Sequence, residues 1–95
     1  DYATPIALAP VSAQRAFHHD GERPAARAAR ARGALQIVST LTTVSLETLI
    51  DDRQAPSWFQ LYPPDDLALA RRLVERAAKA GAGAIVLTID LLAGG

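Results

Sequence analysis

Four short apolar runs alternate with three stretches of helical pattern, and this alternation constrains the fold more than any single motif does. The apolar runs are residues 5–10, 35–38, 58–62 and 84–88, and none carries a charge. Runs this short, bounded by Gly, Pro or Ser signals, read as buried strands. The intervening segments are long enough for the crossovers that parallel neighbours require. A β-α-β-α-β-α-β order therefore predicts an α/β fold with a parallel sheet and helices packed outside it.

The helix boundaries are written in cap chemistry. Asp20 is the expected N-cap of the first helix, with Glu22 favouring its first turn and Pro24 tolerated only that early. The helix runs through residues 25–31 and stops at Gly33. Arg23, Arg27 and Arg30 recur at i, i+4 and i+7, and with Arg32 they read as a solvated face. Ser45 caps a short second helix over 46–51, where Val44 and Leu49 are spaced as a hydrophobic staple. Asp65 or Asp66 caps a third helix ending near Gly81. Its expected buried stripe is Leu67, Ala70, Val74 and Ala77, flanked by Leu73 and Ala80.

The strand exits carry the chemistry. Within 58–62, Gln60 and Tyr62 share one face while Phe59 and Leu61 take the other. Thr88 and Asp90 repeat the device on the last run, Ser39 and Thr40 close the second, and Ser12 follows the first. Buried polar groups need partners. By spacing alone each has an ordinary explanation: Gln60 and Tyr62 satisfied by loops, Thr88 and Asp90 a turn and next cap, Ser39 and Thr40 turn residues. Together they predict a polar mouth at the C-terminal ends of the strands, where parallel α/β folds bind ligands. No Gly-x-Gly-x-x-Gly or Walker-type loop is present. The repetition favours a TIM-type barrel over a flat doubly wound sheet. A complete barrel takes about 250 residues, so 95 make part of one.

Ten Lys plus Arg offset ten Asp plus Glu. A balanced chain gives no electrostatic reason to expect nucleic acid or an anionic membrane as partner. No Cys is available for disulfides or thiolate metal sites, and no apolar run reaches the length of a membrane span. His18-His19-Asp20 is a poor metal ligand set and reads as a plain loop. Trp58 reads as a packing residue. The ends, Asp1 and Gly95, read as cut, and a cytoplasmic location is the default expectation.

The motifs also occur in a known order. Residues 5–10 with Gln14, then His18-x-x-Gly21-Glu22 with the Ala-Arg-Ala-Ala of 26–29, come first. Val38-Ser39-Thr40 with Ser45-x-Glu47, Trp58-Phe59-Gln60-Leu61-Tyr62 and Leu87-Thr88-Ile89-Asp90 follow. Taken together this resembles the start of the FMN-dependent 2-hydroxy-acid oxidase and dehydrogenase family, across essentially the whole chain. The resemblance implies the first four βα units of a (β/α)8 barrel, with FMN at its C-terminal mouth. It implies that Pro10, Val11 and Ser12 lie against the flavin ring, and that Ser39, Gln60 and Thr88 hydrogen-bond its pyrimidine edge. Tyr62 matches the tyrosine that binds substrate, and Asp90 the carboxylate that supports the catalytic histidine. The implied reaction oxidises a small L-2-hydroxy acid of the lactate or glycolate type, by carbanion or hydride, in a protein expected to be a homo-oligomer at full length.

The same resemblance places the base histidine, the substrate-clamping arginines, the flavin lysine and the phosphate loops beyond Asp90. The 95-residue chain alone is therefore expected to be inactive and to bind FMN weakly. Leu41 stands where glycolate-oxidase-like members often carry a pocket tryptophan, which leans away from glycolate oxidase. Two alternatives stand beside this reading: another flavin-dependent TIM barrel, such as an isomerase or reductase, and a non-catalytic half-barrel that pairs with itself or a partner chain.

Overall fold

A computed structural model describes residues 2–89; Asp90 lies outside the described residues. Four strands, β1 (Ala7–Leu8), β2 (Leu35–Val38), β3 (Trp58–Leu61) and β4 (Ile85–Leu87), lie in one sheet in the order β1-β2-β3-β4. Every pairing is parallel. The crossovers carry α1 (Arg23–Arg32), α2 (Leu46–Arg53) and α3 (Leu67–Ala80). An order that follows the sequence without a reversal is that of a barrel wall, whereas a doubly wound sheet switches direction. β1 is shorter than the run that predicts it, and the first connection contains a 3-10 turn, Gln14–Ala16, where the sequence suggests only a polar link.

The register assigns the two faces. Partners in a parallel pair point the same way, so Leu8 and Gln36, Val38 and Phe59, and Leu61 and Leu87 share the helix-facing side. There Val38, Phe59 and Leu61 pack with Ala26, Leu46, Leu49 and Ala77 in one core, and Val44 joins Leu49 as the staple spacing predicts. On the opposite face Ile37 pairs with Trp58, and Gln60 with Val86. At the far edge Leu87 points to the helix side yet is 57% exposed, because no helix follows it among the described residues.

Two expectations about the helices need correction. Asp20 does not cap α1. Glu22 occupies the cap position in helical geometry and makes no side-chain capping bond. In α3, capped by Asp66 through Ala68 N–H (2.9 Å) and Leu69 N–H (3.3 Å), the inward stripe is Ala70, Leu73, Ala77 and Ala80. Leu67 is 82% exposed and Val74 also faces out. Alanine lets the helix approach the sheet, so small residues rather than large ones mark the buried face.

α1 and α2 are clamped by a bidentate ion pair, Arg23 Nε and Nη2 donating to Asp52 at 2.8 and 3.0 Å. Arg23 is thus only partly the solvated residue its spacing suggests. At the opposite end from the mouth, Arg53 is buried and donates to Ala34 O (3.0 Å) and Pro56 O, the carbonyls just before β2 and β3. Burial pushes its pKa down, with the Tyr2 ring nearby. Gly33 ends α1 at φ 63°, and a Cβ there would come within 2.8 Å of the Ala3 Cβ.

Candidate functional site

The C-terminal ends of β2, β3 and β4 meet through side chains. Gln60 is 3% exposed, and its Oε1 accepts from Thr40 N–H at 3.2 Å. Its Nε2 donates to Thr88 Oγ1 at 2.8 Å. Thr40 Oγ1 donates to Gln60 O and accepts from Tyr62 N–H at 3.1 Å. Thr88 N–H continues the ladder to Leu61 O at 3.0 Å. Ser39 is buried at the exit of β2, where its Oγ accepts from Leu41 N–H at 3.0 Å, a Ser turn that reverses the chain. Ser39, Gln60 and Thr88 therefore sit at one rim on successive strands.

The connection from β1 to α1 is bound to the same rim. Pro10, Val11 and Ser12 follow β1, with Val11 and Ser12 exposed. Ala13 takes a left-handed conformation (φ 50°) and donates its N–H to Leu41 O at 2.9 Å. Gln14 Nε2 reaches back to Val11 O at 3.4 Å. Below these segments lies the carboxylate of Glu22, which is 2% exposed. It accepts from Gln14 N–H (3.1 Å), Thr43 N–H (3.0 Å) and the Thr43 hydroxyl (2.6 Å). Burial pushes its pKa up, but these three donors together with the Glu22 backbone N–H outweigh burial and hold it below the ordinary glutamate value.

The donor set suits a ring edge that presents both donors and acceptors. After the bonds above, Gln60 retains one amide hydrogen, and the Ser39 and Thr88 hydroxyls can each turn to donate or accept. Tyr62, half-buried next to Gln60, brings a phenol to the same side as Gln60. Of the residues read from the sequence, Ser39, Gln60, Tyr62 and Thr88 are brought together, and Pro10–Val11–Ser12 adjoin them through Leu41. Asp90 lies outside the described residues. His18 and His19 stack on each other on the exposed loop, with ring centroids 4.6 Å apart, and take no part.

Two residues at this rim are not singled out by the sequence. Thr40 reads as one of a pair of turn hydroxyls, but it bonds the Gln60 carbonyl in β3 and the Tyr62 N–H just after it. Glu22 reads as a first-turn acid, but it binds a loop 21 positions away. The one local hint is Gly21. At φ 61°, a Cβ there would lie 3.1 Å from Thr43 Oγ1 and 3.2 Å from Val44 Cγ2, so the two loops touch at that point.

Comparison with known proteins bears on the family and the fold. The sequence profile of a family described as FMN-dependent dehydrogenase matches residues 1–95. A 4-hydroxymandelate oxidase of Amycolatopsis orientalis is 47% identical over 89 residues, which cover 94% of this chain and 25% of that protein. An L-lactate oxidase of Alicycliphilus denitrificans is 42% identical over 90 residues, covering 95% and 25%. Among solved structures, a mandelate oxidase superposes with a TM-score of 0.89 at 46% identity, covering 95% of this chain and 26% of its own. A mutant of mandelate oxidase carrying a monooxide FMN adduct matches equally well, at 44% identity. The chain spans about a quarter of the length of these relatives. With its four parallel strands in barrel order and its strand ends joined at one rim, the chain belongs to the FMN-dependent dehydrogenase family.

Proposed function

We propose that this chain forms the first part of an FMN-dependent enzyme that oxidises a small 2-hydroxy acid to the 2-oxo acid. The observation that carries the reading is Gln60, held nearly solvent-free between Thr40 and Thr88 with hydrogen-bonding capacity left over. In this reading Ser39, Gln60 and Thr88 hold the pyrimidine edge of the flavin, and Pro10, Val11 and Ser12 lie along the ring. The Tyr62 hydroxyl binds substrate, and Asp90 supports a histidine base contributed by later residues. When bound, FMN supplies a two-electron acceptor for oxidation of the alcohol carbon. This chain's own part is to orient the ring edge, exclude water from it through the buried Gln60, and present the Tyr62 phenol to the substrate oxygen. Leu41, exposed at the rim, stands where glycolate-oxidase-like members often carry a tryptophan and leans the reading away from glycolate.

The open edge at Leu87 supports a wall that continues into further strands and helices, and the isolated 95-residue chain is expected to be inactive. A homo-oligomeric, cytoplasmic complete protein belongs to the same proposal. The test is anaerobic: FMN-loaded complete protein is mixed with L-lactate, glycolate or 4-hydroxymandelate, and the flavin absorbance is followed. Bleaching by at least one of these acids is expected. A complete protein that takes up no FMN, or whose flavin stays oxidised with every 2-hydroxy acid tried, would overturn the reading.

A further inference from the structure

We propose that Glu22 is a positioning residue for the flavin site, a latch that fixes the two mouth loops against each other; the inference rests on the flavin reading above. The carboxylate occupies the place where a helix cap belongs, yet it gives α1 no capping bond. It turns instead to the loops, where three donors converge on it from Gln14 and Thr43. Arg15 N–H joins the same cluster by donating to Thr43 Oγ1 at 3.2 Å. One face of this cluster leads to residues 10–12 through Ala13 and Gln14. The other leads through residues 41–43 to Thr40, which grips Gln60 and Tyr62. The buried carboxylate, beside the direct bonds Ala13 N–H to Leu41 O and Arg15 N–H to Thr43 Oγ1, therefore helps set how far the segment placed along the ring stands from the residues placed at its edge. Both of its oxygens are taken up by Gln14 and Thr43, so it acts through these two residues rather than on the ring.

The geometry predicts an unusual substitution pattern. Glutamine can keep the acceptor for both backbone amides while its NH2 group donates to the Thr43 hydroxyl. Alanine leaves two backbone N–H groups and the Thr43 hydroxyl hydrogen without an acceptor, while the hydroxyl oxygen keeps the Arg15 N–H. In the complete protein, Glu22→Gln is expected to hold FMN within about three-fold of wild type, and Glu22→Ala to weaken it about ten-fold or more. Thr43→Val, which removes the hydroxyl and keeps the amide, should fall between the two. It also serves as the readout if Glu22→Ala does not fold. Leu49→Ala, which destabilises the core away from the mouth, should lower the melting temperature and leave the FMN affinity of the folded protein near wild type.

Dissociation constants come from fluorescence titration of apoprotein, with melting temperatures measured alongside. The latch is overturned if Glu22→Ala and Thr43→Val lower the melting temperature as Leu49→Ala does but leave FMN affinity unchanged. It is also overturned if Glu22→Gln is as damaging as Glu22→Ala, since charge rather than loop geometry would then matter. Failure of the wild-type protein to bind FMN would instead sink the flavin reading itself.

Discussion

Replacing Gln60 by Leu tests the strand-end network with little change in side-chain volume. The wild-type amide accepts from Thr40 N–H at 3.2 Å and donates to Thr88 Oγ1 at 2.8 Å, in a position only 3% exposed. Leucine removes both functions. Thr88 is only half-buried, so water can replace its lost donor at small cost. The Thr40 amide has no other acceptor among its bonds. Leaving such a donor unsatisfied costs about 1–3 kcal/mol, which is the expected drop in apoprotein stability. FMN affinity should fall further than stability alone explains, by about ten-fold, because the ring edge loses a partner that can both donate and accept. Phe59→Leu provides the contrast. It sits next to Gln60 on the opposite, helix-facing side, and it should destabilise the core with FMN affinity intact. Denaturant midpoints of the apoprotein and fluorescence titration with FMN measure the two effects separately. If Gln60→Leu changes stability by less than about 0.5 kcal/mol and FMN affinity by less than about two-fold, the network does not do what its geometry implies.

Other perturbations address the scaffold. Leu49→Ala empties a fully enclosed position between α2 and the sheet and should cost about 2–5 kcal/mol by denaturant unfolding; a loss below about 1 kcal/mol would mean the core is not packed as described. Asp66→Ala removes the acceptor for the first free amides of α3 and should cost about 1 kcal/mol, with Asp66→Asn nearly neutral. The Glu22 carboxyl is held below its ordinary pKa in the folded protein, so its ionised form contributes stability that is full above the unfolded value of about 4.3 and is lost as pH falls through the lower folded value. The margin in melting temperature between wild type and Glu22→Gln should therefore be constant above about pH 5.5 and shrink in more acid solution; a margin that grows on acidification would contradict the assigned sign.

Local chemistry made much of the architecture readable. Residues 35–38 form β2 as their pattern predicts, and the stops at Gly33 and Gly81 and the caps at Ser45 and Asp66 hold because each depends on a few neighbouring residues. The failures are contacts between distant segments. Asp20 is the expected cap and Glu22 a first-turn acid in sequence, whereas Glu22 takes the cap position and its carboxylate bonds Thr43, 21 positions away. α2 runs two residues past its expected end at Asp51, to Arg53, whose guanidinium bonds the carbonyls of Ala34 and Pro56. In α3 the large apolar residues Leu67 and Val74 mask an inward stripe built mainly from alanine. At the site, polar residues two apart at strand ends flagged Gln60, Tyr62 and Thr88, because their alternation against an apolar background is a one-strand property. Thr40 was harder to distinguish, since the backbone groups it holds belong to the neighbouring strand.

A crystal structure of the complete protein with FMN would settle whether one rim of this wall receives the flavin. The account predicts the pyrimidine edge of the ring within about 3.3 Å of the Ser39, Gln60 and Thr88 side chains, with residues 10–12 alongside it. A flavin bound elsewhere, with Gln60 still bonded only to Thr40 and Thr88, would contradict it.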